Sequence, residues 1–139
     1  DTPRARAFWA TAAAPLPQPG AHSYFQALAL RALGEEQQAA AALSDLAKAA
    51  DEKRKQEPEL DYFATSLPNM LLFRDDLKMR SRIESLLLEA LAAHGLDDGA
   101  KAAGLLRQVL AEDPNCLFAA EILTQLRHDR KPAREAPRA

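Results

Sequence analysis

Apolar positions recur at three and four residues along most of this chain, the repeat of helices that each bury one stripe. Thr2 and Pro3 open the first, because a threonine oxygen accepts from the free amides of a first turn and proline supplies a pre-set φ there. A helix over 3–14 follows. The run Pro15, Leu16, Pro17, Gln18, Pro19, Gly20 cannot continue it and predicts a corner. From 21 to 33, Tyr24, Phe25, Leu28, Ala29, Ala32 and Leu33 keep helical spacing up to Gly34, which suits a left-handed turn. A third helix, 35–56, sets Ala39, Ala42, Leu43, Leu46, Ala49 and Ala50 on one face and becomes fully charged over 51–55.

Pro58 and Pro68 bracket Leu60, Tyr62, Phe63 and Leu67, which read as a short helix or packed connector. Pro68 then opens a short helix through Phe73, and Asp75 or Asp76 caps a long one over 77–94 that ends at His94 and Gly95. Asp97 and Asp98 start a helix to Glu112, Asp113 and Pro114 break it, and Asn115 caps a last helix to about residue 129. The picture is all-α, with about seven helices in a domain spanning 1–129 and a basic, proline-containing tail over 130–139. Composition agrees: 30 Ala and 22 Leu stand against 7 Val, Ile and Thr combined, which starves strands.

Three segments share a spacing. Ala5, Trp9, Ala12 and Pro17 stand at intervals of four, three and five, as do Ala102, Leu106, Val109 and Pro114. Ala39, Leu43, Leu46 and Asp51 repeat it with the proline replaced. A small residue lets two helices approach, a large one fills the gap a turn later, and a breaker ends the hairpin. On this reading Trp9 and Leu106 are both core, and truncating either to Ala costs about 3 kcal/mol.

With that spacing the chain resembles the tetratricopeptide repeat family, whose unit is a helical hairpin of about 34 residues. The match is best at 97–115 and next best at 27–46, where Gly34 lies five residues before Ala39 as the family's inter-helix glycine does. Asp97 stands where the family has glycine, and Ala93 where it prefers an aromatic residue. The resemblance implies a right-handed stack of hairpins, a fragment of an α-solenoid. The stretch from Asp61 to Pro68, followed by Asp75, Asp76 and Leu77, also resembles the C-terminal repeat region of bacterial proteins with a large N-terminal domain of unknown function. The chain then reads as a fragment of a longer protein.

In such arrays the first helix of each hairpin lines a concave groove. Carried over, the groove is formed by Tyr24, Leu28 and Arg31 from one hairpin and by Glu84, Leu87, Leu91 and His94 from the next. Tyrosine offers a rigid aromatic face and arginine a planar five-donor cation, both suited to recognition. The same positions also serve a core. The family's carboxylate-clamping Lys and Asn are replaced by Tyr24, Leu28, Glu84 and Leu88, which argues against that chaperone-binding role.

The usual catalytic spacings are missing: no His-Glu-x-x-His, Gly-x-Ser-x-Gly, phosphate-cradling glycine loop or Cys-x-x-Cys. We expect no enzyme, no cofactor and no metal site. Adjacent carboxylates at Asp75 and Asp76, and at Asp97 and Asp98, suit capping better than acid catalysis. His94 suits the negative end of a helix dipole, and Cys116 reads as a small buried or half-buried thiol. That single cysteine favours a reducing compartment, and a cytoplasmic location is expected. With 18 Lys and Arg against 20 Asp and Glu, the net charge of −2 gives no general pull to nucleic acid or anionic lipid. The longest apolar stretch, Leu86 to Ala93, is too short to span a bilayer.

These features point to a non-catalytic protein-interaction or scaffolding module. Its expected partner is a protein or peptide segment, or the parent protein's own N-terminal domain, with weak self-association through an exposed apolar end. The rival reading is an accessory helical domain that braces an enzymatic, carbohydrate-active domain outside this chain.

Overall fold

Six α-helices make up the computed structural model, which describes residues 2–56 and 70–129, with side chains from residue 76 in the second stretch. They are α1 (Pro3–Ala12), α2 (Ala21–Ala32), α3 (Glu36–Lys55), α4 (Met70–Gly95), α5 (Gly99–Glu112) and α6 (Leu117–Asp129). The connector predicted over 57–68 and the tail 130–139 lie outside the described residues.

Each helix packs on its neighbour in sequence, and α2 also meets α4 across α3. Lys53 and Arg54 near the end of α3 pair with Glu84 and Glu89, while Leu43 near its start touches Gly95, so α3 and α4 run antiparallel. The core runs through all the helices from α2 to α6, and Leu43, Leu46, Leu91, Leu106 and Val109 are fully buried.

The two complete hairpins, α2–α3 and α4–α5, turn by the same device. After α2, the Gly34 N–H donates to the Arg31 carbonyl (2.9 Å) and the Glu35 N–H to the Leu30 carbonyl (2.8 Å). After α4, the Asp97 N–H donates to the His94 carbonyl (3.2 Å) and the Asp98 N–H to the Ala93 carbonyl (2.9 Å). Both are Schellman closures, which need a left-handed residue at the turn. Gly34 (φ 85°) and Asp97 (φ 64°) fill that place. Five residues beyond each come Ala39 and Ala102, then Leu43 and Leu106, then Leu46 and Val109, all six without exposed surface. The spacing read from the sequence is therefore a repeated packing unit.

The caps at Thr2 and Asp98 form as expected: Thr2 Oγ1 accepts from the Ala5 N–H (3.3 Å) and Asp98 Oδ1 from the Lys101 N–H (3.2 Å). Four expectations need correction. The helix through Phe73 and the one capped at Asp75 or Asp76 are a single helix, Met70–Gly95. No proline or glycine interrupts 70–94, and an aspartate inside a helix costs only about 0.6 kcal/mol. Asp76 pairs one turn on with Arg80 (3.3 Å) instead of capping. Asn115 does not cap α6, because the Ala120 N–H bonds to the Cys116 carbonyl (3.2 Å) while the Asn115 N–H turns back to Asp113 Oδ1 (3.1 Å). Asp97 belongs to the turn and only Asp98 to the helix start. Finally, α1 buries no residue, and Trp9 remains 42% exposed. Its spacing matches the buried rows of α3 and α5, yet α3 lies between α2 and α4, and α5 between α4 and α6, whereas α1 packs mainly on α2.

Candidate functional site

Tyr24 and His94, 70 positions apart in sequence, are brought together where α2 crosses the end of α4. The Tyr24 hydroxyl and His94 Nδ1 stand 2.8 Å apart in a hydrogen bond, with the rings 5.7 Å apart. Tyr24 is buried, and that burial pushes its hydroxyl pKa above the usual 10.0, with the nearby Arg31 guanidinium pulling weakly the other way. The Phe25 ring meets Tyr24 edge-on (5.4 Å) and stacks on Phe118 of α6 (5.9 Å). Four rings thus connect α2, α4 and α6 on one side of the molecule.

The other groove residues divide. Leu91 is fully buried and Leu87 packs against the core, so both hold the fold. Glu84 turns to Lys53 of α3 (2.9 Å). Arg31 is engaged with Glu36 (2.9 Å), closing the turn between α2 and α3. Leu28 is the residue of this set that offers apolar surface to solvent, at 39% exposure, one turn along from Phe25 at 48%. Sequence reasoning counted Phe25 among the apolar row of its helix and passed over Phe118. The signal was available, since Tyr24, Ala27 and Leu30 form the buried row and Phe25 and Leu28 fall beside it.

Of the concave regions among the described residues, two gather charged side chains, and the second of them shares His94 with this site. One, of about 600 Å³, is lined by Lys53, Arg54, Lys55, Lys78 and Arg82 with no carboxylate in its wall. Directly behind, Asp51 holds Arg54 and Lys55 (both 2.6 Å), Glu84 holds Lys53, Glu89 holds Arg54 (3.2 Å), and Glu112 holds Arg82 (3.0 Å). Hydrogen bonds from Lys55 and then Arg54 keep the Asp51 carboxyl below the usual carboxylate range. Among the described residues, carboxylates match four of the five cations, and the C-terminal end of α3 lies in the wall, where the helix dipole disfavours anions. The second region, about 450 Å³, holds His94, Asp97, Asp98 and Asp129 beside Leu126. Its carboxylates are partly committed, Asp98 as a helix cap.

Cys116 is half-buried against the core, as a small apolar thiol would be. Among the described residues no group of three His, Cys, Asp or Glu side chains could hold a metal ion, and no helix is long and apolar enough to cross a membrane. No protein-family model matches the chain, and no solved structure matches it either.

Proposed function

We propose that this chain is a non-catalytic protein-interaction module of the tetratricopeptide type, a part of a larger bacterial protein, that holds a protein or peptide segment against the side formed by α2, α4 and α6. The observation that carries the reading is the repeated unit: two hairpins with the same Schellman turn and the same three buried positions, which set α2 and α4 side by side. Stacked units of this kind expose one continuous helix face, and such faces bind extended partners. Phe25 and Leu28 supply exposed apolar anchor surface on it, over the rigid Tyr24–His94 pair.

Phe25→Ala combined with Leu28→Ala tests the proposal. Both side chains are substantially exposed, so helical circular dichroism should be kept and stability should fall only by about 1 kcal/mol, for the lost Phe25 contacts with Tyr24 and Phe118, while capture of a partner from lysate of the source organism is lost. Capture that survives the double substitution removes the face from consideration. Tyr24 is unsuited to this test, because its loss also undoes the contact with α4.

A further inference from the structure

The side formed by α2, α4 and α6 has an apolar part and an acidic end, and the two meet at His94. His94 bonds to Tyr24, whose ring touches Phe25, and the same His94 lines the cavity of about 450 Å³ at the turn between α4 and α5. On α6, Phe118 stacks on Phe25, and Asp129, about three turns further along the same side of that helix, lines the cavity. The aromatic stack and the cavity are thus two ends of one surface.

Charge identifies what suits this surface. Asp97, Asp98 and Asp129 line the cavity with His94, and among the described residues its wall holds no lysine or arginine. Lys101, at the start of α5, reaches back to Glu89 (3.1 Å), and Arg31 is held by Glu36 (2.9 Å). Arg127 and His128, exposed beside Asp129, do not line it. Asp98 accepts from the Lys101 N–H and so answers the positive end of α5. Neither Asp97 nor Asp129 has an ion-pair partner among the described residues. Helix α4 also ends here, and the negative end of its dipole adds to a potential that favours a cation.

We infer that the partner segment held on this side carries a lysine or arginine within about three residues of an apolar side chain. The apolar side chain covers Phe25 and Leu28, and the cation enters the cavity between Asp97 and Asp129. The ring of His94 lies 5.7 Å from that of Tyr24, and Tyr24 lies 5.4 Å from Phe25. An extended segment advances about 3.3 Å per residue, so roughly three residues bridge the two ends. The inference rests on the function proposed above and adds the chemistry of the partner.

The probe is a phage-displayed library of random peptides, selected at low salt on the full chain and, in parallel, on two double variants. One variant is Phe25→Ala with Leu28→Ala; the other is Asp97→Asn with Asp129→Asn, where asparagine tolerates the left-handed conformation at 97 and circular dichroism should be unchanged. The unaltered chain should enrich peptides with a cation within three residues of an apolar side chain. The first variant should enrich none of them, and the second should keep the apolar preference and lose the cation. A selected peptide titrated in solution should bind the aspartate variant about tenfold more weakly, about threefold for each exposed pair, and should bind Asp45→Asn with Glu52→Gln, which removes equal charge on α3, as well as the unaltered chain. Peptides that depend on Phe25 and Leu28 but carry no cation, or that bind the aspartate variant unchanged, overturn this inference and leave the function proposed for the face standing. Absence of any enrichment that depends on Phe25 and Leu28 overturns both. A tenfold gain in peptide affinity on Arg130→Gln with Lys131→Gln overturns the inference in favour of the chain's own basic tail. Self-association in sedimentation that the aspartate variant abolishes overturns it in favour of a second copy.

Discussion

Asp97 is held in a left-handed conformation that its hairpin counterpart, Gly34, adopts without a Cβ penalty. Replacing it with glycine should raise stability by about 1 kcal/mol, read as a higher midpoint in urea. Gly95 carries the opposite constraint, since a Cβ there would collide with the Leu43 side chain in the fully packed centre. Gly95→Ala should cost about 2 kcal/mol, and an unchanged midpoint would mean that α3 and α4 are not in the contact described. Tyr24 makes a third residue-scale case. Its buried phenol keeps its proton to higher pH in the folded chain than in the unfolded one, so below pH 10.0 it adds no pH dependence. As pH rises past 10.0 the unfolded chain ionises first and stability falls. Phenolate absorbance followed against pH should show one tyrosine titrating late, and Tyr24→Phe should remove both that late step and the matching loss of stability.

At the scale of helices, Leu106 and Trp9 test what spacing alone can say. Leu106→Ala should cost about 3 kcal/mol by opening a cavity, whereas Trp9→Ala should cost on the order of 1 kcal/mol, because much of that ring already meets solvent. The sequence assigned the two residues the same role, since their intervals are the same. Intervals record which face of a helix is apolar, but they cannot say whether anything lies against that face. The ends of α2 and α5 were legible from Gly34 and Pro114, while the join inside α4 was misread. Two aspartates look like a cap in a linear reading, but with no proline or glycine in 70–94 the helix continues through them.

Across the whole molecule, the all-helical class and the hairpin register could be read in advance, because alanine and leucine at helical spacing leave few alternatives. The candidate face was only partly legible. Tyr24 and His94 do meet, through a hydrogen bond that no local spacing encodes, and Leu28 is exposed, but Leu91 belongs to the core and Glu84 to an ion pair with α3. Which apolar residues stay outside depends on how far neighbouring helices cover them, and Phe118 became visible as the neighbour of Phe25 only in the folded chain, where α2 and α6 bring the two rings together. The central claim, that this side holds a protein partner, is tested most directly by site-specific photocrosslinking. A photoreactive phenylalanine analogue replaces Leu28 in one sample and Lys48, on the exposed outer side of α3, in another, and both are irradiated in lysate of the source organism. A single distinct adduct from position 28 that is missing from position 48 is the result predicted here; the same adducts from both positions, or none from position 28, would contradict it.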